Sequence, residues 1–176
     1  MITSRVDKAR RAIMSRITDR IGKNHFNRKV KGKNINTEIR TVLICRPNHR
    51  LGNLLLLTPL LQEVISVFQN SKIDIVVKGT LSNQIFRSYY NIEKIIILPR
   101  KPFKELFKYI KTFFSVRSKT YDLVINSEGG SSSGKLLTYL SKSKFKIYDT
   151  FEGQLSLDLS KDFTHKAKKS IFNLRY

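Results

Sequence analysis

Between residues 41 and 149 the hydrophobic pattern changes period repeatedly. Short apolar runs rich in β-branched residues occur at 41–46, at KIDIVVKG (72–79), KIIILPR (94–100), YDLVINSEG (121–129) and FKIYD (145–149), and they read as strands. Between them, 54–69, 81–90, 103–116 and 133–142 carry helical signals. Strands alternating with helices of this length predict an α/β fold, a Rossmann-like parallel sheet with helices on both faces, over residues 41–158. Pro59 interrupts the first helical stretch. It predicts either a start at Thr58 as N-cap with Pro59 at the first helical position, or an earlier start near Asn53 followed by a kink.

Outside this alternating region the pattern is of another kind. Val6, Ala9, Ile13, Ile17 and Ile21 recur at spacings of three and four, with Arg5, Lys8, Arg10, Arg11, Arg16 and Arg20 between them, so residues 1–22 read as a basic amphipathic helix. Such a helix suits an anionic membrane surface, packing on the domain with a solvated outer face, or nucleic acid. Residues 23–40 are rich in Lys, Asn, Gly and Arg without periodicity and read as a linker. Residues 159–176 read as a short amphipathic helix, a tail or a truncated linker. Within 103–116, Phe103, Leu106, Phe107, Ile110 and Phe113 form one stripe beside Lys104, Lys108 and Lys111. The stripe is expected to face the core with a solvated basic edge; exposed aromatic residues flanked by lysines would instead suit a lipid interface.

Composition narrows these readings. With 176 residues and 40% hydrophobic content, the chain can bury one ordinary core. Its 34 Lys plus Arg against 13 Asp plus Glu leave a net charge of +21, with +9 on residues 1–40 and +12 on the remainder. Such a field attracts polyanions: nucleic acid, anionic lipid or a phosphorylated substrate. A single cysteine, Cys45, excludes an internal disulfide framework and, in an apolar strand, reads as a buried thiol in a reducing compartment. No apolar run reaches the ~18 residues that span a bilayer and no signal-peptide core is present, so a cytoplasmic location is expected.

Candidate chemistry gathers in two loops. The turn after the first strand holds Arg46, His49, Arg50, Gly52 and Asn53, at the sheet edge where ligands of this fold class bind. The second, GGSSSGKL at 129–136, approaches the phosphate-loop pattern but has Leu136 where a magnesium-holding Ser or Thr is needed. Its milder reading is a set of backbone and hydroxyl donors, Gly129 to Ser133, at a helix N-terminus. His25, His49 and His165 are isolated and no paired cysteines or nucleophile elbow occur, so no metal site is expected. His49 is either a turn residue or a base for a hydroxyl proton.

Together RPNHRLGNLLLLTPLLQEV, KIDIVVKG and YDLVINSEGGSSSGKLLTYLSKSK resemble, in this order, the N-terminal domain of glycosyltransferase family 9, the lipopolysaccharide heptosyltransferases. The resemblance covers about residues 41–150. It implies half of a GT-B enzyme, in which this domain receives the acceptor and a second Rossmann-like domain binds a nucleotide-sugar, usually ADP-heptose, for inverting transfer without metal. On that basis Arg46, Arg50, Gly52, Thr58, Gly129, Arg100, Lys101 and Lys104 are candidate acceptor-binding residues. The family usually carries an aspartate base directly after the loop glycine, where this chain has Asn53. An amide cannot take that proton; His49 and Glu128 are the candidate replacements, with Asn53 left to orient the hydroxyl.

Nothing in the 176 residues corresponds to the nucleotide-sugar domain, so the expected donor site lies outside this chain, with a C-terminal half on another chain as one possible partner. The expected partners are an anionic glycolipid acceptor and an anionic membrane surface, and the expected place is the cytoplasmic side of the inner membrane, bound peripherally. The alternative is a noncatalytic basic Rossmann-like module binding nucleic acid, for which the sequence offers charge but no recognition motif.

Overall fold

The computed structural model describes residues 38–100 and 104–148, together with Ala12, Ser15, Arg16, Thr18, Ile21, Ile171 and Leu174. The expected linker, most of the basic helix of residues 1–22 and most of the tail of 159–176 lie outside the described residues. Within the basic segment, Ala12, Ser15, Arg16 and Thr18 are helical.

Five strands, β1 (Thr41–Cys45), β2 (Lys72–Lys78), β3 (Ile92–Leu98), β4 (Thr120–Asn126) and β5 (Lys142–Tyr148), form one sheet in the order β3-β2-β1-β4-β5. Every pairing is parallel, with Ile44 opposite both Ile75 and Ile125 at the centre. The helices are α1 (Leu51–Leu55), α2 (Thr58–Val67), α3 (Leu81–Phe86), α4 (Leu106–Ser118) and α5 (Ser132–Leu140). This is the expected Rossmann-like α/β architecture.

Side-chain alternation along the strands divides the core in two. Val42, Ile44, Ile73, Ile75, Val77, Leu123 and Ile125 pack under Leu54, Leu57, Leu60, Leu61, Val64 and Phe86 from α1, α2, α3 and the turn between the first two. Ile171 and Leu174 pack against the same cluster. Leu43, Cys45, Val76, Ile96, Leu98 and Val124 face the other way, under Tyr109, Phe113 and Val116 of α4 and Leu137 of α5. Cys45 is buried as expected, and burial pushes its thiol up to about 12.

The first helical stretch combines both sequence readings. Helix begins at Leu51, stops at Leu55 and restarts at Thr58 with Pro59 in its first turn and Leu57, not Thr58, as the preceding cap residue. Proline has no N–H and its ring crowds the carbonyl four residues back, so one continuous helix across 55–59 is disfavoured. The Leu55 carbonyl instead accepts a hydrogen bond from the Thr58 hydroxyl at 2.7 Å.

Helix α4 departs from expectation. Tyr109, Phe113 and Val116 face the sheet, whereas Leu106, Phe107, Ile110 and Phe114 are exposed. Of the expected core stripe only Phe113 packs inward, and Phe103 lies outside the described residues. The apolar arc of this helix is wider than the sheet and α5 can cover, and the Tyr109 hydroxyl donates to Ser133 Oγ at 2.9 Å, which fixes the rotation.

At the amino edge Asp122 ties the central strands together. Its Oδ2 accepts from the backbone N–H groups of Arg40 and Thr41 and from the Thr41 hydroxyl, each at 3.0 Å, and Lys144 Nζ lies 2.6 Å from Oδ1. Burial alone would raise this carboxyl, but Lys144 and these donors outweigh it and hold it down at about 2. Because the folded-state value lies below the ordinary 3.8, the stabilisation is complete above about pH 4 and is lost as pH falls through about 2. We expect ~2 kcal/mol to disappear over that window and Asp122→Asn to remove most of this pH dependence while lowering stability at neutral pH. Urea unfolding of both proteins at neutral and acid pH checks this; identical acid sensitivity would refute it.

Candidate functional site

The chain runs from β1 toward β2 on one side and from β4 toward β5 on the other, so the loops after β1 and β4 diverge and leave a crevice at the carboxyl edge between them. Both candidate loops of the sequence flank it. The first stays in register with the sheet for one more residue, Arg46, whose N–H donates to the Val76 carbonyl at 2.8 Å.

Arg46 is 3% exposed. A buried guanidinium is tolerated only with hydrogen-bond partners. Here Nε donates to the Asn53 carbonyl at 2.7 Å and Nη1 to the Ser127 carbonyl at 2.6 Å. One cation thus clamps the start of α1 to the loop after β4. The geometry makes Arg46 a positioning group for the crevice walls.

Asn48 adds a second tie. Its amide Nδ2 donates to Glu128 Oε1 at 3.2 Å, its Oδ1 accepts from the Arg50 N–H at 3.1 Å, and its carbonyl accepts from the Lys78 N–H at 3.0 Å. The contact to Arg50 is a side-chain-to-backbone turn of the kind Asn favours. Sequence reasoning passed over Asn48, and that turn chemistry in Pro47-Asn48-His49-Arg50 was the available signal.

The loop after β4 is short. The Ser127 N–H donates to the Cys45 carbonyl at 3.1 Å, the Ser131 N–H to the Glu128 carbonyl at 2.9 Å, and α5 begins at Ser132 with Ser131 Oγ accepting from the Gly134 N–H at 3.1 Å. Gly134 and Lys135 therefore stand inside α5 and not in a phosphate-cradling loop. A side chain at Gly134 would collide with the buried Asn126 amide, so this glycine serves close packing. The expected donor set is partly committed within the protein: Ser131 caps the helix and Ser133 accepts from Tyr109.

The remaining sequence candidates fall into two groups. His49, Arg50 and Gly52 are exposed on the first loop and α1, Asn53 is half-buried beside them, and Glu128 and Gly129 are half-buried on the opposing loop. These residues the fold brings together. Glu128 is the sole carboxylate on the two loops. Arg100 lies farther along the same edge, its guanidinium against Gly79, whose φ of +79° at the end of β2 leaves room for no side chain. Lys104 is exposed before α4, the Thr58 hydroxyl is committed to the Leu55 carbonyl, and Lys101 lies outside the described residues. Among the described residues no group of three His, Cys, Asp or Glu side chains converges as a metal site.

Such a crevice offers a carboxylate able to take a proton, a neighbouring amide, an imidazole, and guanidinium groups suited to an anionic substrate. The glycosyl transferase family 9 structure from Veillonella parvula DSM 2008 matches with a TM-score of 0.60 at 18% identity, over 78% of this chain and 41% of that one. The chain has the fold of a family 9 glycosyltransferase. E. coli heptosyltransferase WaaC with ADP matches at a TM-score of 0.58 and 21% identity, over 77% of this chain and 48% of that one. The same enzyme with ADP-2-deoxy-2-fluoro heptose matches at 0.51 and 17% identity, over 76% and 46%. At these identities the likeness is one of fold, and the chain spans less than half the length of each of these structures. No family model and no curated protein matches the chain.

The two glycines make opposite predictions. A Cβ at Gly52 would meet nothing within 4 Å, so Gly52→Ala in α1 is expected to leave stability unchanged or raise it by up to ~1 kcal/mol. Gly134→Ala is expected to cost about 1–3 kcal/mol through overpacking against Asn126. Unfolding midpoints measure both, and equal effects would refute the assignment of Gly52 to open crevice space.

Proposed function

We propose that this chain is the acceptor-side half of a GT-B glycosyltransferase that moves a sugar, with inversion, from a nucleotide-sugar to an anionic glycolipid of lipopolysaccharide core or a related glycan. The observation that carries the reading is the crevice between β1 and β4: two loops clamped by Arg46, with Glu128 between them, in the fold of family 9 glycosyltransferases. The donor, a nucleoside diphosphate sugar of the ADP-heptose kind, is held by a second Rossmann-like domain outside these residues, on this polypeptide's continuation or on another chain.

In this reading the acceptor hydroxyl lies in the crevice and attacks the anomeric carbon. Its proton passes to the Glu128 carboxylate as the new C–O bond forms and the bond to the departing nucleoside diphosphate breaks on the opposite face. The carboxylate is steadied by the Asn48 amide at 3.2 Å. Asn53 orients the hydroxyl without accepting its proton, and His49 is the second candidate for that proton. Arg50 and Arg100 hold acceptor phosphates by charge-assisted hydrogen bonds. The net charge of +21 favours an anionic membrane surface as the place of work, with residues 1–22 as one attachment.

A lipid-free phosphorylated core oligosaccharide is the first test. The chain is expected to bind it, Arg50→Ala to weaken binding about tenfold, and Glu128→Gln to bind within about threefold of the parent. When the nucleotide-sugar domain is supplied, Glu128→Gln is expected to lose at least about a hundredfold in transfer rate. Tighter, steeply salt-dependent binding to RNA with none to the oligosaccharide would overturn the proposal in favour of a nucleic-acid module.

A further inference from the structure

We infer that the outer face of α4 is a docking surface for an anionic lipid bilayer. At about 100° per residue, Tyr109, Phe113 and Val116, which face the sheet, occupy an arc of about 60°. Leu106, Ile110, Phe114 and Phe107 fill the next ~100°, and Lys108 and Lys111 follow beyond them. The helix is apolar over about half its circumference except at its last turn, where Arg117 lies between the Leu106 and Ile110 positions and donates to the Leu140 carbonyl at 3.0 Å, and the described residues cover only one part of that half. Phe107 is 82% exposed and Phe114 67%, with Leu106 and Ile110 beside them. Exposed apolar residues arranged contiguously on one helix face, not scattered singly, mark an interaction surface.

Charge selects the occupant. Lys104 stands exposed just before the helix, Lys111 borders the apolar arc next to Phe107, and Arg117 is exposed within the arc at the last turn. Glu105 is the acid on this segment, and it is paired with Lys108 at 3.0 Å. A second copy of a chain with net charge +21 would bring like charges together around an uncharged patch. A bilayer carrying anionic headgroups complements both parts: rings and aliphatic side chains enter the acyl boundary while lysines meet the headgroups, each adding about 1 kcal/mol near the surface.

The face also lies where a membrane-held acceptor needs it. Helix α4 starts from the carboxyl edge of the sheet, and Tyr109 in its second turn is bonded to Ser133 at the start of α5, directly after the Glu128 loop. Docking through Leu106, Phe107 and Ile110 therefore sets the crevice beside the lipid surface. The purpose of the surface rests on the glycolipid-acceptor reading; its location rests on α4 alone.

The chain has no tryptophan, so Phe107→Trp in the full chain gives a single probe. With vesicles of equal parts phosphatidylglycerol and phosphatidylcholine, its emission should shift to the blue and be quenched by brominated acyl chains. Vesicle binding by Phe107→Ser/Phe114→Ser should be at least about tenfold weaker than the parent's, with an unchanged unfolding midpoint because both rings are exposed. Vesicle-bound protein whose Trp remains solvent-like and unquenched would overturn the inference, leaving attachment to charge alone. So would a blue shift that grows with protein concentration without vesicles, which would assign the face to a second copy. Quenching without binding of the soluble core oligosaccharide supports the docking face and removes the acceptor reading; sugar binding without quenching does the reverse.

Discussion

A guanidinium sealed inside the carboxyl edge of the sheet governs the geometry of this molecule. Arg46 cannot reach water, and its charge is tolerated because the carbonyls of Asn53 and Ser127 receive its donors at 2.7 and 2.6 Å. One carbonyl belongs to α1 after β1 and the other to the loop after β4, so satisfying one buried cation fixes the separation of the crevice walls. Asn48 works on the same principle with a neutral amide, joining the end of β2 to the Glu128 carboxylate. A polar clamp of this kind holds loops in register where an apolar contact would let them slide, because hydrogen bonds are directional and burial is not.

What could be read from the chain followed from how far apart the interacting residues lie. Strands β1, β2 and β4 were legible because burial on both faces makes them continuous apolar runs. Strand β3 starts two residues earlier than its pattern suggests, since Glu93 and Lys94 at this sheet edge are exposed. Strand β5 begins in the polar sequence Lys142-Ser143-Lys144, whose strand state comes from pairing with Thr120 and Tyr121 and not from burial of its own side chains. The location of the site was legible because it depends on local order, strand then loop then helix. The roles of Arg46 and Asn48 were not, since their partners Ser127 and Glu128 lie 81 and 80 positions away. In α4 the periodicity was right about helix and wrong about orientation: an apolar arc wider than its contact does not say which side is inward.

Replacing a carboxylate by Asn53 at the start of α1 changes where the proton in the proposed reaction can go, and the fold offers a substitute from the other wall. Glu128 reaches the crevice from the loop after β4, with its own carbonyl held by the Ser131 N–H and the Asn126 amide. Its backbone is thus fixed just before the start of α5 while its carboxylate is steadied by Asn48. A base on this wall must approach the acceptor hydroxyl from the β4 side, so the acceptor would lie turned toward α5 instead of α1. Gly52, with open space in front of it, leaves room on the α1 side for the sugar ring.

The distribution of acids gives the sheet a polarity that serves the same end. Glu38, Asp74, Glu93 and Asp122 all lie at the amino edge, before or early in their strands, and each is paired with Arg40, Lys119, Lys72 or Lys144. Lys119 answers both Asp74 and Glu93, at 3.0 and 2.6 Å, and the Tyr121 hydroxyl donates to Asp74 at 2.8 Å. At the carboxyl edge Arg50, Arg100 and Lys104 are exposed, and the two crevice loops carry one carboxylate, Glu128. The amino-edge acids are therefore each answered by a cation within the protein, while Arg50, Arg100 and Lys104 at the other edge are exposed to what approaches. In a chain of net charge +21, that separation concentrates the positive field where the crevice opens and where α4 begins, so a phosphorylated amphiphile would be drawn to the edge that holds the candidate base.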